Sequence, residues 1–545
     1  MNLMKRWLVA AAIMLFGAVL LISPERVSAH AVLTKAVPEA NSQLNTAPER
    51  IELTFNERLE AELYYIKVFD EIGREISDRK ATLSGDQKAM QLELPKLSNG
   101  RYTVTYHVIS ADGHPVEGTY VLSIGPGSEG SLIASPESLH AGHSLSADMS
   151  VYDILKYISR IAYFFGLLAV AGWVFWGMAA GLNQSAAVSG YYRNGLLSVQ
   201  RTHFLALIAF VYFHYQDLLG DQGFGELIGL FTGTWVGRSW LIAFVLSLVG
   251  FAMLGRSKAG DAVWIVLLLA AKSVNGHAMG YEPRVLTVSL DFIHLLGAAV
   301  WVGGLLLIVP AWKKNRTWID SFLPVFSRYA LISIIVLTLS GTATTLLYLP
   351  GLNYLLYSQW GKLLIAKVVF VVLVILMAAG IRMAMKGRKE KDLRDMVRMD
   401  FGAMSIIVVL VGLLTFISPV PPNEPLYWHQ MGEKVHATVQ ITPKVPGDNR
   451  FQVDVWLPKE LDKPKRVQLK LHNLDNPDIA PIEVPLAEHV NDQEDAGFTA
   501  DETYGQFSYK AEGPYLPFAG LWKLEFRLLD KNDDETVYTE QTRLY

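Results

Sequence analysis

Residues near the start of the chain combine the types and the spacing of a metal-binding site. Asp112 and His114, in the segment ADGHP, are separated by one residue, so in extended backbone both side chains project to the same side. His30 directly follows VSA, the small-residue pattern of a signal-peptide cleavage site, and cleavage there would make it the first residue. It would then offer an amino nitrogen and an imidazole to one metal. Such an N,N,N,O plane favours Cu(II), whereas zinc prefers a tetrahedron.

The ADGHP segment also fits a simple turn. Asp-Gly and His-Pro are favourable turn pairs, and Asp112 would then cap its own backbone while His114 stays exposed. The position of His30 behind a cleavage site favours the metal site over the turn.

A second group of candidate residues lies in apolar segments, where polar side chains are rare and tend to be functional. Imidazole and thioether groups together can carry copper, and methionine suits Cu(I) in particular. His203, nearer the predicted cytoplasmic end, is better explained as a histidine that bridges two helices by hydrogen bonds. The candidates for a copper path through the membrane are His214, His277, Met279, Asp291 and His294.

Composition excludes several classes of site and indicates a membrane protein. The 545-residue chain has no cysteine, which rules out disulfides, thiolate metal sites and cysteine nucleophiles. The formal net charge of -4 gives no sign of nucleic-acid binding. No Walker-type phosphate loop is present, so we do not expect the chain itself to use ATP. Hydrophobic residues make up 51% of the chain and come in long blocks.

The order of the patterns predicts a multidomain membrane protein with an N-terminal all-β, immunoglobulin-like sandwich, an eight-helix transmembrane bundle and a C-terminal all-β sandwich. Alternating strand patterns indicate the two sandwiches, and eight apolar runs, most of them near the ~20 residues that span a bilayer, indicate the bundle. The predicted segments are a signal peptide at 1–29, a sandwich at 30–125, a linker at 126–150, the bundle at 151–420 and a sandwich at 428–545.

Lysine and arginine residues are concentrated in every second connection between the apolar runs. The seventh connection, RMAMKGRKEKDLRDMVR, is the most basic, and the even-numbered connections are poor in positive charge. The positive-inside rule places the odd connections in the cytoplasm. Both ends of an eight-span chain are then extracytoplasmic, in agreement with the signal peptide.

Some histidines outside these groups have no clear role in the sequence. His429, Met431 and His436 cluster just after the last apolar run and could handle metal, although exposed strand residues beside a linker are the favoured explanation. His140 and His143, in the predicted linker, fit either a metal relay or no metal role.

Two stretches of the N-terminal part resemble one known family. HAVLTKAVPEANSQL and VISADGHPVEGTYVLSIG are similar to the periplasmic copper-binding CopC family. That resemblance implies a β-sandwich with one Cu(II) ion, held by the mature N-terminal histidine and a D-x-H pair. The ligands implied here are His30, Asp112 and His114.

The membrane part resembles the CopD family of copper-resistance membrane proteins. HLLGAAVWVGGL, SGTATTLLYL and WGKLLIAKVVF carry the resemblance, and His294 and Trp301 belong to its H-x-x-G-x-x-x-W-x-G-G pattern. The C-terminal part is similar to YtkA-like domains. The three parts in this order resemble copper-import fusion proteins of Bacillus, which implies that copper moves inward.

The sequence therefore predicts copper acquisition without enzymatic activity: extracytoplasmic Cu(II) capture, followed by import through the bundle, with Cu(I) as the candidate species inside the membrane. Expected partners are the copper ion, the lipid bilayer and an extracytoplasmic copper chaperone, and nucleic acid is not among them. The alternatives are a copper tolerance or sensing protein without transport, and a copper- or haem-dependent membrane redox enzyme.

Overall fold

The structure is a computed structural model that describes residues 31, 33–38, 40, 42–125, 151–185, 188–220, 222–313, 315–387, 390–421, 423, 425–432, 434–489 and 504–545. The predicted signal peptide, His30 and the predicted linker with His140 and His143 lie outside the described residues.

The N-terminal part is a β-sandwich, as its alternating sequence predicts. Its strands are β1 (Leu33–Val37), β2 (Gln43–Leu44), β3 (Arg50–Phe55), β4 (Tyr65–Phe69), β5 (Thr82–Leu83), β6 (Ala89–Glu93), β7 (Gly100–Ile109) and β8 (Pro115–Ile124). One sheet has the order β1-β3-β6-β5 and the other β2-β8-β7-β4. Alternate side chains of a strand face opposite sides of a sheet, so Ile51, Leu53 and Phe55 of β3 are all buried in the core between the sheets.

Ten α-helices form the middle of the described chain. They are α1 (Val151–Ala179), α2 (Ser189–Leu219), α3 (Leu227–Gly233), α4 (Trp235–Met253), α5 (Lys258–Ser273), α6 (Arg284–Ala311), α7 (Arg316–Tyr348), α8 (Tyr354–Tyr357), α9 (Gln359–Lys386) and α10 (Glu390–Leu414). Each of the eight predicted apolar runs contains helix, so the predicted fold class is confirmed.

Seven of the eight predicted spans are full-length helices, and the fourth is a shorter helix that a loop continues toward the end where α4 begins. Among the described residues, seven helices are long and apolar enough to cross a membrane. The exception is α5, whose 16 residues extend about 24 Å at 1.5 Å per residue, less than the roughly 30 Å of a hydrocarbon core. The apolar run that predicted it continues beyond Ser273 into a loop and a short 3-10 helix, His277–Met279. The difference matters because that loop contains candidate ligands.

Glycines permit close contacts between helices of the bundle. A Cβ atom on Gly303 of α6 would collide with the backbone of Gly172 on α1, and one on Gly304 would collide with the ring of Phe326 on α7. The glycines of the motif that resembles CopD therefore have a packing role, in keeping with the small residues that line helix contacts in membranes.

The C-terminal part is a second sandwich, as predicted. Its strands are β9 (Leu426–Met431), β10 (His436–Thr442), β11 (Gly447–Pro458), β12 (Arg466–Asn473), β13 (Ile482–Val484), β14 (Ala487–His489), β15 (Tyr504–Leu516), β16 (Gly520–Leu529) and β17 (Glu535–Leu544). The sheet β14-β15-β11-β10-β9 packs on the sheet β13-β12-β16-β17. The C-terminus contacts the bundle, since the guanidinium of Arg543 lies 3.7 Å from the ring centre of Tyr357.

The N-terminal sandwich is docked on the same end of the bundle, where α2 ends and α4 begins. Leu63 and Ile109 join the hydrophobic core of the bundle rather than that of their own sandwich. The backbone N–H of Trp235, at the start of α4, donates to the carboxylate of Glu60 at 3.2 Å. Nε2 of His107 lies 3.2 Å from the carbonyl oxygen of Leu218. Apolar contacts and buried polar contacts together hold the two parts in one arrangement.

Candidate metal centre between the N-terminal sandwich and the bundle

Three predicted site residues meet at this junction. Potential ligand atoms of Asp112, His114 and His277 all lie within 4.8 Å of one another. Nδ1 of His114 is 3.1 Å from Oδ1 of Asp112, and Nδ1 of His277 is 3.3 Å from Oδ2 of the same carboxylate. The two imidazole rings are nearly parallel, with a centroid separation of 5.5 Å and an interplanar angle of 17°. One carboxylate therefore links a histidine of the sandwich to a histidine of the bundle.

The turn between β7 and β8 holds the ligands from the sandwich. The N–H of Ser110 donates to the carbonyl of His114 at 2.8 Å, and the N–H of Gly113 donates to the carbonyl of Ser110 at 2.9 Å. The hydroxyl of Ser110 also donates to Oδ1 of Asp112. Gly113 has φ of +87°, a left-handed conformation that favours glycine. ADGHP is thus a turn, but His114 is buried in it, which removes the conflict between turn and metal site.

The ligand from the bundle comes from the loop after α5. His277 begins the short 3-10 helix, and the hydroxyl of Thr287 on α6 donates to the carbonyl of Ala278 at 2.7 Å, which fixes this segment on α6. A Cβ on Gly280 would lie 3.3 Å from Cβ of Asp112 and 3.6 Å from Oε2 of Glu57. Glycine at position 280 therefore lets the sandwich approach the loop closely.

Burial sets the protonation of the groups at the junction. It lowers the pKa of His114, against the opposing effect of the Asp112 charge, so this imidazole is held in the neutral form that binds metals. Burial raises the pKa of Glu57 to about 9, and the charge of Asp112 adds to the rise. Sequence reasoning missed Glu57 because nothing in the segment NERLEAEL distinguishes a buried acid from the surface acids around it.

His277 has one ring nitrogen available. With Nδ1 oriented toward the Asp112 carboxylate, Nε2 has no hydrogen-bond partner among the residues that the structure describes, and only 9% of the side chain is exposed. A carboxylate that accepts from one imidazole nitrogen orients the other toward a metal in many metalloproteins. The chemistry of these donors, imidazole and carboxylate, fits copper.

The deeper candidate residues lie apart from this cluster. Nδ1 of His294 is 2.9 Å from the hydroxyl of Ser340, whereas Met279 is buried in the same short 3-10 helix as His277. Asp291 lies within electrostatic range of Lys272 and Lys367. The structure thus places His277 and Met279 at the end of the bundle, and Asp291 and His294 further along α6.

The two histidines of α2 differ from their predicted environments. Both ring nitrogens of His214 are engaged: Nδ1 is 2.7 Å from the carbonyl of Phe210, and Nε of Arg160 donates to Nε2 at 3.3 Å. His203 was expected to bridge helices by hydrogen bonds, yet neither ring nitrogen has a partner among the described residues, although the side chain is buried. That expectation was wrong, because His203 packs through its ring face, 6.0 Å from the ring of Tyr163.

Docking of the sandwich is expected to depend on pH through Glu60. Burial at the start of α4 raises the pKa of Glu60 to about 7 from the ordinary value of 4.5, which it regains when the sandwich undocks into water. The docked state then holds this proton more tightly, so docking is strongest below about pH 4.5 and weakens as the pH rises to about 7. Glu60→Gln keeps an acceptor for Trp235 and is expected to remove this part of the pH dependence.

Spin labels can measure this equilibrium because the chain has no native cysteine. Cysteines introduced at Ile72 and Leu352, which are 73% and 63% exposed, would report the distance between sandwich and bundle from pH 4 to 8. Glu93→Gln, on an exposed strand position of the sandwich, is the matched control. An equal pH dependence in wild type and Glu60→Gln would contradict the role of Glu60.

Comparison with known proteins is consistent with this division of the chain. The family model described as CopC domain matches residues 33–125, and the model described as Copper resistance protein D matches residues 320–417. The second match begins after His277, Asp291 and His294, so it does not include the candidate ligands of the bundle.

Three relatives match this chain over different lengths. "Copper transport protein CutJ" of Bacillus subtilis (strain 168) is 27% identical over 470 residues, 80% of this chain and 83% of that protein. "Protein YobA" of Escherichia coli (strain K12) is 37% identical over 107 residues, 19% of this chain and 85% of the relative. "Copper resistance protein C" of Escherichia coli is 30% identical over 105 residues, 18% of this chain and 82% of the relative.

Proposed function

We propose that this chain, which belongs to the proteins that join a CopC domain to a CopD domain, captures copper outside the cell and imports it through the helix bundle. The observation that carries the proposal is the position of Asp112 and His114, which face His277 of the bundle within 4.8 Å rather than open solvent. A capture site that only stored copper would not need to be buried against a membrane histidine. The chain is similar over 80% of its length to a protein named for copper transport, which also supports a transport function.

Capture uses Cu(II) and the ligands His30, Asp112 and His114. The neutral His114 and the carboxylate of Asp112 supply two of the four donors, and the amino and imidazole nitrogens of a cleaved N-terminus supply the others. A tetragonal N,N,N,O set suits Cu(II) and leaves the axial positions weakly held. The His277 ring lies nearly parallel to that of His114 with 5.5 Å between centroids, so His277 would be close to an ion held by Asp112 and His114.

Entry into the bundle begins at His277, whose Nε2 has no hydrogen-bond partner among the described residues. Met279 follows two residues later, and its thioether suits Cu(I), so we propose that copper continues as Cu(I) after one-electron reduction by a reductant outside the chain. Asp291 and His294 continue the path along α6. His214 is left out of this path because both of its nitrogens already have partners.

The proposed orientation places both sandwiches outside the cell. The basic connections assign the opposite end of the bundle to the cytoplasm, and the contacts of both sandwiches with one end of the bundle agree with that assignment. A copper chaperone outside the cell would deliver the ion to this end. We assign the C-terminal sandwich to the YtkA-like domains and assign no catalytic reaction to the chain.

Cellular copper content tests the proposed direction. Cells that lack the chain are expected to contain less copper than the same cells with the gene restored, when both grow in copper-poor medium and metal is measured by mass spectrometry. Iron and zinc content serve as the control and should stay equal. A rise in cellular copper on deletion would contradict import and support the rival function of copper tolerance.

A further inference from the structure

A second group of copper-type ligands lies on the C-terminal sandwich, at the edge of its five-stranded sheet. Met431 of β9 and His436 of β10 are directly paired across the two strands, and His429 of β9 is paired with Thr438. Residues two apart on a strand share a face, so His429, Met431 and His436 all lie on one side of the sheet. Directly opposite residues have Cβ atoms about 5 Å apart and diagonal ones about 7–8 Å, within reach of long and aromatic side chains.

The contacts of the two imidazoles bring them toward the same patch. Nδ1 of His429 lies 2.8 Å from the hydroxyl of Thr438, so Nε2 is the ring nitrogen that remains to bind a metal. The His429 ring meets the indole of Trp456 edge-on, with centroids 6.2 Å apart. Trp456 is in turn the cross-strand partner of His436. The two histidines are near enough to interact electrostatically.

These side chains do not build the core of the sandwich. The opposite face of β10, with Ala437, Val439 and Ile441, supplies that core and is almost fully buried. Met431 is 61% exposed and lies on β9, the edge strand of its sheet. Packing in the core therefore does not account for a methionine and two histidines on this face, where the His436 ring lies 5.3 Å from the ring of Tyr504.

A histidine on the other sheet shows the structural alternative. Nε2 of His472 lies 3.3 Å from Oε2 of Glu525, a carboxylate that also pairs with Arg527. His472 thus belongs to a surface ion network, with a charged partner and no thioether beside it. His429 and His436 differ from it in both respects among the described residues.

We infer that His429, Met431 and His436 form a binding site for Cu(I), with the indole of Trp456 beside the ion. Two imidazoles and one thioether are a soft ligand set that favours monovalent copper over Cu(II). An indole face attracts cations and keeps water from one side of the ion. The site is separate from the junction of Asp112 and His277 and does not depend on the proposed transport function. The site would hold Cu(I) on the C-terminal sandwich, which contacts the bundle and which we place outside the cell.

Counting tightly bound Cu(I) in the purified full-length protein tests this site. Anaerobic competition with a chromophoric Cu(I) chelator would give the number and affinity of Cu(I) sites in wild type, Met431→Leu, His436→Gln and the control His472→Gln. Met431→Leu changes an exposed side chain to one of similar volume, so it is expected to fold normally. Loss of a ligand should lower the affinity for Cu(I) at least about 10- to 100-fold. Removal of a group that only supports a metal ligand already has an effect of that size.

The expected result is one Cu(I) equivalent fewer in Met431→Leu and His436→Gln, with the full number in His472→Gln and unchanged Cu(II) binding in all variants. X-ray absorption at the copper edge should show a sulfur contribution that decreases in Met431→Leu. Equal Cu(I) stoichiometry and affinity in wild type and Met431→Leu would overturn the inference, as would an equal loss in His472→Gln. Failure of copper import would not affect this result, because the assay measures binding alone.

Discussion

Adding one glycine before His30 in the mature protein is expected to lower its Cu(II) affinity by about 10²- to 10⁴-fold, the usual gain when a second contact becomes intramolecular. The addition keeps every side chain, including those of Asp112 and His114, but moves the amino nitrogen out of the chelate with the imidazole. Competition with a Cu(II) chelator of known affinity measures the effect. The same glycine inserted after Gly85, in an exposed turn with open space around it, is the control and should leave affinity unchanged.

Acid should weaken the same site. The amino group of a chain has an ordinary pKa of about 7.7–8.0 and must lose its proton to bind metal, so Cu(II) affinity should fall as the pH drops. In the variant with the added glycine, Cu(II) affinity should depend less steeply on pH. Unchanged affinity after the addition would contradict the assignment of His30 as a ligand.

Replacing His277 by glutamine is expected to reduce copper import to near the level of cells without the chain, while Cu(II) capture by the N-terminal domain is retained. The glutamine amide can still donate to Oδ2 of Asp112, which keeps the contact that spans 165 residues of sequence. It has no imidazole nitrogen with which to take the ion from the sandwich. Loss of import with retained Cu(II) capture would identify His277 as a ligand that transfers copper, and not as a residue that only holds the sandwich on the bundle.

Two measurements on each variant are needed to interpret this result. Copper accumulation in cells reports import, and Cu(II) competition on purified protein reports capture. His472→Gln, remote from the junction, should match wild type in both assays. Full import by His277→Gln at equal protein level would remove His277 from the path, and loss of capture together with import would indicate that the variant disturbs the sandwich instead.

The local patterns of the chain were sufficient to predict its architecture. Period-two alternation in RIELTF or RYTVTYHV places one set of side chains inward, and the two sandwiches follow from it. Long apolar runs require helix in a membrane because each backbone group must be bonded within its own segment. The proximity of Asp112 and His114 was predicted from their spacing of one residue, but a turn with Gly113 at φ of +87°, and not extended backbone, brings the two side chains together.

The junction was not predictable in this way. His277 and Asp112 are brought together by the docking of two domains, and docking depends on surfaces formed by residues far apart in the sequence, such as Leu63 and Ile109 on one side and Trp235 on the other. Hydropathy also overestimated the fourth span, because the run continues through apolar residues of the loop after α5. The expected hydrogen bonds of His203 were wrong because residue type alone does not show which partners a helix neighbour offers.

Copper entry into vesicles reconstituted with the purified protein tests the central claim most directly. A chromophoric chelator sealed inside reports arrival of the ion, with Cu(II) and Cu(I) supplied in parallel outside. We predict that copper enters vesicles with wild-type protein several times faster than empty vesicles, and that His277→Gln at equal protein content reduces entry to the rate of empty vesicles. Entry at the rate of empty vesicles for the wild-type protein, with either form of copper and with Cu(II) capture intact, would contradict import by this chain.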